Sequence, residues 1–216
     1  EQDLYDTTIV LIPKHFSTSN WKIASYLLEY DVTLFNTIWV SILVSIIQVA
    51  VCCLVGYGFS RFQFPLKRFW FFCVILVIVI PPQTISTSLF LHFRYFNVFG
   101  HTFNLRGSML PYIMLCCGCM GLKNGLYIFI FRQFYKGVPD ELEEAAYIDG
   151  KGVFGTFFSI IMPLSVPMMT TVFMFAFSWQ WTDTFYTASP FFTASAEPLL
   201  TNIVNKIPPS LKMEYA

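Results

Sequence analysis

An all-α, polytopic transmembrane helix bundle is the fold class that this sequence predicts, on three observations. Of its 216 residues, 56% are hydrophobic and only 12% are charged, and the mean hydropathy is +0.60. Four apolar windows have the length that crosses a bilayer as helix, and each carries at most one charge. No alternating pattern typical of a membrane barrel is present, so the spans are expected to satisfy their backbone hydrogen bonds as helices.

The four predicted spans cover residues 35–59, 69–91, 108–131 and 164–187. The first two lack charged side chains, the third contains Lys123, and the fourth contains Asp183. Pro81 and Pro82 predict a break in the second span, because proline removes a helical hydrogen bond and clashes with the preceding turn.

The basic residues of the short connections predict the orientation, because Lys and Arg are retained on the cytoplasmic side. One side carries six of them, and the other side carries two: Arg61, Lys67, Arg68, Arg132, Lys136 and Lys151 against Arg94 and Arg106. Residues 1–32 are therefore an extracytoplasmic lead-in, 33–189 the transmembrane core with a cytoplasmic loop at 132–163, and 190–216 a second extracytoplasmic segment. We expect a preceding and a following span, which would make six in the full chain.

Several classes of function are disfavoured by the composition. The net charge is zero and no basic stripe is interleaved with aromatics, which argues against nucleic acid. No arrangement of nucleophile, base and orienting group stands out, and no phosphate-binding GxxxxGK[ST] motif is present. We expect no catalytic residue, no metal site and no cofactor in this chain. The six cysteines are interpreted as ordinary thiols within apolar spans: Cys52, Cys53, Cys73, Cys116, Cys117 and Cys119. The three histidines are interpreted as external surface residues: His15, His92 and His101.

An acidic stretch, PDELEEAAYIDGKGVFGTFFSIIMP at residues 139–163, stands between two apolar regions. Pro139 fits a first helical turn, and the acids that follow complement the positive end of the helix dipole. Gly150 supplies a left-handed stop. The stretch predicts a helix of roughly three turns outside the bilayer, with a docking face of Leu142, Ala145, Ala146 and Ile148 at helical spacing.

At these residues the chain resembles the permease subunits of binding-protein-dependent ABC importers. Their hallmark is Glu-Ala-Ala, three residues, Gly, nine residues, then Ile-x-Leu-Pro. The same spacing holds here for Glu144, Ala145, Ala146, Gly150, Ile160 and Pro163, with Met162 in place of Leu as the one departure. The tracts GYGFSRFQFP, FNTIWVS, VIPPQ and SWQWTDTFY are similar to those of the maltose-type carbohydrate branch. The resemblance covers about residues 35 to 190.

The resemblance implies a permease of the bacterial cytoplasmic membrane that moves a sugar or oligosaccharide by alternating access. A non-sugar cargo such as glycerol phosphate or a polyamine is the alternative, and a secondary transporter is a weaker one. Its partners would be a second homologous permease, two ATP-binding subunits that hold ATP and Mg, and an extracytoplasmic substrate-binding protein; this chain itself would not be an enzyme. The ATPase-coupling residues would be Glu141, Glu144, Ala145, Ala146, Asp149 and Gly150.

Polar residues inside the apolar spans are the candidates for the substrate path: Gln83, Thr84, Thr87, Lys123, Asn124, Trp179 and Asp183. Two interpretations stay open for Lys123, which either borders a cavity with Asn124 or pairs with an acid such as Asp183. Trp179 fits an interfacial aromatic belt as well as a cavity wall. Gly121 and Gly125 form a GxxxG spacing that also fits tight helix packing.

Overall fold

A computed structural model describes residues 19–98, 101–105, 107–187 and 199–201. It confirms an all-α bundle with one small β-hairpin. The helices are α1 Ser19–Leu27, α2 Tyr30–Arg61, α3 Lys67–Val79, α4 Ser86–Arg94, α5 Leu110–Cys117, α6 Asn124–Gly137, α7 Glu141–Ile148, α8 Val153–Thr156, α9 Met162–Leu164 and α10 Val166–Trp181. A 3₁₀ turn at Pro82–Ile85 precedes α4, and a π turn at Phe157–Ile161 joins α8 to α9. The hairpin pairs β1 Phe96–Val98 with β2 His101–Phe103 in antiparallel fashion.

Helix α2 is the central element, and it contains the first predicted span. It packs against α6, α10 and α5. Its buried residues recur every three or four positions, which gives one continuous buried face: Thr33, Thr37, Val40, Ser41, Val44, Ser45, Gln48, Val49, Cys52, Cys53, Gly56 and Tyr57. By length and composition α2 is the one unbroken helix among the described residues that is able to cross a membrane.

The second predicted span is bent by 100° between α3 and the segment Pro82–Arg94. The break falls at the two prolines, as predicted from the sequence, with Ile80 and Pro81 in extended conformation. Proline disfavours helical geometry in the residue before it and donates no backbone hydrogen bond, so two successive prolines end the helix. The pair together passes the length and composition test for one span.

The third predicted span is not one helix, which corrects the expectation from the sequence. Helix α5 ends at Cys117, α6 begins at Asn124, and Cys119 and Lys123 adopt left-handed backbone with φ of 61° and 62°. Gln48 on α2 stabilises this break, because its Nε2 donates to the Leu122 carbonyl at 2.8 Å and to Asn124 Oδ1 at 2.7 Å. The backbone freed by the break thus finds partners inside the protein, as membrane depth requires.

The fourth predicted span continues an earlier helical segment through a sharp bend. Val153–Leu164 and α10 meet at Ser165 with an angle of 71°. Pro163 and Pro167 flank the bend and each removes a backbone donor, and the preceding π turn loosens the helix further. Counting each bent pair as one span gives up to three among the described residues, against the four expected.

Gly125 marks the close approach of α3 and α6. A Cβ built on Gly125 would lie 2.8 Å from the Val74 carbonyl oxygen and 2.9 Å from Ile78 Cγ1. This geometry supports the tight-packing interpretation of the GxxxG spacing at this glycine.

Replacing Gly125 with alanine should destabilise the bundle by about 1–3 kcal/mol, because the added methyl group pushes α3 away from α6. Gly137→Ala at the other end of the same helix is the matched control, since nothing lies within 4 Å of its added Cβ. Thermal unfolding of the purified variants compares the two. Equal melting temperatures would contradict the close helix contact.

Candidate functional site

Helix α7 lies in the connection between α6 and α8 and carries the Glu-Ala-Ala residues. It spans eight residues and begins at Glu141 rather than at Pro139, which lies outside the helix. Gly150 ends it with φ of +81°, as predicted, in a conformation that glycine adopts without strain. The amides of Asp149, Gly150 and Lys151 donate to carbonyls of the last turn at 3.0 Å each. The helix is therefore short and closed by its own backbone.

Glu143 fixes α7 to the bundle, although the sequence did not single it out. Its side chain is buried, Arg61 Nε on α2 lies 2.7 Å from its Oε1 in an ion pair, and Tyr57 Oη donates to its Oε2 at 3.1 Å. Arg61 also pairs with the Asp140 carboxylate and donates to the Val138 carbonyl at 2.7 Å. One arginine at the end of α2 thus holds both the connection before α7 and its first turn.

The opposite side of α7 is exposed. Five of the six predicted coupling residues are exposed, three on α7 and two directly after it: Glu141, Glu144, Ala145, Asp149 and Gly150. Ala146 is only 2% exposed, so it belongs to the buried side. The predicted apolar face is therefore divided, since Leu142, Ala145 and Ile148 are exposed while Ala146 is not. An acidic, partly apolar surface of this kind is free to contact another protein.

A cavity of about 480 Å³ lies where the breaks of the second and third spans meet. Its lining residues come from 77–83 and Ile85, from 120–123, Gly125 and Leu126, and from Tyr186. Gln83 and Lys123 contribute polar groups to it, and the Lys123 ammonium lies 4.7 Å from the Trp179 ring centroid. This volume lies within the range of small-molecule sites, about 300–1,000 Å³.

The structure separates the other predicted path residues from this cavity. Thr84 and Thr87 are exposed but do not line it. Asn124 is fully buried, where its Nδ2 donates to the Cys116 carbonyl at 2.9 Å. Its amide is therefore used to stabilise the break rather than to face the cavity.

Asp183 is also occupied by bonds within the protein. Its carboxylate accepts backbone N–H groups from Phe185 at 3.2 Å, Tyr186 at 3.3 Å and Thr187 at 2.8 Å. Among the described residues, Lys123 contacts the Trp179 ring and forms no ion pair with Asp183. The predicted alternative of a Lys123–Asp183 pair is therefore not what this structure shows.

Residues 49–202 match the family model described as "Binding-protein-dependent transport system inner membrane component". The chain belongs to this family. The match includes the anchored helix α7, the cavity and all the bends described above. The membership confirms the resemblance that the Glu-Ala-Ala spacing indicated.

Curated relatives are similar over most of the chain. A probable ABC transporter permease of Pyrococcus horikoshii is 31% identical over 151 residues, which are 69% of this chain and 51% of the relative. An sn-glycerol-3-phosphate transport system permease of Yersinia enterocolitica is 27% identical over 70% of this chain and 50% of its own length. An arabinooligosaccharides transport system permease of Halalkalibacterium halodurans is 30% identical over 63% of this chain and 45% of its own length. The chain spans about half the length of these relatives.

A solved structure shares the fold of this permease-family chain. It is a bacterial ABC transporter involved in the import of the acidic polysaccharide alginate, with a TM-score of 0.76 and 16% identity. The similarity covers 99% of this chain and 73% of the other. At this identity it establishes the helical architecture alone.

Proposed function

We propose that this chain is the transmembrane permease subunit of an ATP-driven ABC importer, and that α7 is its coupling helix. One observation carries the proposal: α7 is held to α2 on one side by Arg61 and Tyr57 and presents Glu144 on the other. A helix that is fixed to the bundle and exposed toward solvent passes motion as a rigid body. The exposed acidic side is the expected contact with an ATPase subunit.

ATP hydrolysis belongs to separate subunits in this proposal. The sequence has no GxxxxGK[ST] motif, so ATP and Mg would be held by two partner ATPases rather than by this chain. A second, homologous permease completes the path, and a substrate-binding protein delivers the cargo from the other side. The loop at 132–163 faces the cytoplasm of the bacterial inner membrane. Co-purification of the complex with a P-loop ATPase tests this assignment, and its absence would reject it.

The proposed cargo is a sugar or oligosaccharide, and a glycerol phosphate-type cargo is the second candidate. The cavity between the broken spans supports both, because it combines an amide and an ammonium group in a mainly apolar wall. Two of the relatives are named for arabinooligosaccharide and glycerol-phosphate transport, in agreement with these two classes. A polyamine fits less well, since a cation lines the cavity. The bends at Pro81–Pro82 and Ser165 supply flexible points for alternating access.

Replacing Lys123 with methionine should lower cargo uptake by about tenfold, because a charged hydrogen-bond donor leaves the cavity wall. Lys136→Met near the other end of α6 is the matched control, since Lys136 is exposed and lies outside the cavity. Binding assays on the cognate external receptor identify the cargo first, and uptake of that labelled cargo is then measured. Undiminished uptake with unchanged substrate preference would show that Lys123 is not part of the substrate path.

A further inference from the structure

The bend at Ser165 is connected to the bundle by side-chain hydroxyls. Ser165 is fully buried, and its Oγ lies 3.1 Å from Tyr135 Oη on α6. The same Oγ is within hydrogen-bond distance of the Ile161 carbonyl, four residues earlier. One hydroxyl carries one proton, so Ser165 donates to one of these two oxygens at a time. Serine bonds to a carbonyl one turn back are known to bend helices.

Tyr135 extends these contacts toward α2. Its hydroxyl lies 2.9 Å from Cys53 Sγ, and its ring packs edge-on against Tyr57 with centroids 5.5 Å apart. Tyr57 in turn donates to Glu143 of α7 at 3.1 Å. A continuous series of contacts therefore runs from α7 through Tyr57 and Tyr135 to Ser165.

We propose that Tyr135 is a positioning residue that links movement of α7 to the bend at Ser165, through the series Glu143, Tyr57, Tyr135 and Ser165, here called the tyrosine relay. The inference rests on the proposed function, since it assigns the route by which an ATPase would move α10. The element with two arrangements is the Ser165 hydroxyl: it either donates to the Ile161 carbonyl while accepting from the Tyr135 hydroxyl, or donates to Tyr135 and leaves the Ile161 carbonyl without this bond. Movement of α6 relative to α10 changes the distance between Tyr135 and Ser165, which changes the preferred arrangement and the bend with it.

Tyr135→Phe tests the relay, because it removes the hydroxyl and keeps the ring that packs on Tyr57. Tyr127→Phe is the matched control: Tyr127 lies on the same helix, is equally buried, and its hydroxyl has no hydrogen-bond partner in the described part of the chain. Ser165→Ala removes the other end of the same contact and leaves Tyr135 intact. All variants are studied in the complete complex with its ATPase subunits.

The readout is the reaction rate of a cysteine at position 79 with fluorescein maleimide, in lipid nanodiscs, with and without ATP and vanadate. Val79 is 69% exposed and lines the cavity, and the reporter is placed in a background in which the exposed Cys117 is serine. Tyr135→Phe and Ser165→Ala should each reduce the vanadate-induced change in rate by about fivefold, the factor expected for one neutral hydrogen bond. In the double variant, the vanadate-induced change in rate should be reduced no further than in either single variant. ATP hydrolysis and ATPase recovery should equal those of Tyr127→Phe, and the fall in melting temperature should be no larger in Tyr135→Phe than in Ser165→Ala.

A rate change in Tyr135→Phe as large as that of Tyr127→Phe would overturn the relay. The relay would also be overturned if Tyr135→Phe lost the vanadate-induced change together with a lowered melting temperature while Ser165→Ala kept that change. The loss would then reflect instability of Tyr135→Phe. Absence of ATPase subunits from the unaltered complex, or absence of any vanadate-induced change in it, would instead reject the proposed function and the relay with it.

Discussion

Replacing Glu144 with lysine should reduce recovery of the ATPase subunits with the purified permease by at least about tenfold and abolish transport driven by ATP. Glu144 is exposed on α7 and makes none of the contacts that hold this helix to α2, so its carboxylate is available to a partner. The exposed acids of α7 favour a partner surface of opposite charge, and against such a surface a lysine replaces an attraction by a like-charge repulsion. Quantitative co-purification measures the effect.

Glu29→Lys is the control for this charge reversal. It makes the same chemical change at an exposed position that precedes α2, at the opposite end of that helix from Arg61. Recovery of the ATPase subunits with Glu29→Lys should equal that of the unaltered protein. Full ATPase recovery and uptake in Glu144→Lys would count against α7 as the coupling helix.

Arg61→Met should destabilise the loop around α7 by about 3 kcal/mol and lower ATPase recovery with it. Arg61 and Glu143 have side chains only 12% and 8% exposed, so removing the arginine leaves a buried carboxylate without its cation. A second loss comes from the Val138 carbonyl, which would no longer receive its 2.7 Å hydrogen bond. Thermal unfolding of the purified complex and limited proteolysis of the loop measure the change.

Two further variants separate the ion pair from general effects of charge. Arg68→Met removes an exposed arginine on α3 and should leave the melting temperature unchanged. The double variant Arg61→Met with Glu143→Leu replaces the pair by apolar groups and should recover much of the lost stability. Equal stability of Arg61→Met and Arg68→Met would show that the buried pair does not hold α7.

The elements that the sequence predicted best are those specified by neighbouring residues. Helix α2 follows from one long uncharged run, the 100° bend from Pro81 and Pro82, and the end of α7 from Gly150. In each case the cause lies within a few residues of its effect. Proline and glycine act on their own backbone, so their consequences are visible in a linear sequence.

The features that the sequence missed depend on residues far apart in the chain. The break between α5 and α6 needs Gln48, which is 76 positions from Asn124. The anchoring role of Glu143 needs Tyr57, which is 86 positions away. Glu143 and Glu144 are adjacent acids that the sequence does not distinguish. In the structure Glu143 is buried and bonded within the protein, whereas Glu144 is exposed. The arginine that ends the apolar run of α2 was the one available signal.

The structure places some of the predicted path residues at the cavity and others in bonds within the protein. Gln83 and Lys123 line the cavity and Trp179 contacts Lys123, whereas Asn124 and Asp183 satisfy backbone groups of nearby breaks and turns. Polar residues in apolar spans serve both purposes. Composition alone does not distinguish a group that faces a cavity from one that stabilises a broken helix.

Photo-crosslinking from position 144 tests whether α7 contacts an ATPase subunit. A benzoylphenylalanine introduced at this exposed site of α7 reacts only with groups that lie against it in the assembled membrane complex. We expect a covalent product with a P-loop ATPase subunit, and no such product from the same probe at position 29. A probe at 144 that reacts with lipid or solvent alone, in a complex that still transports its cargo, would contradict it.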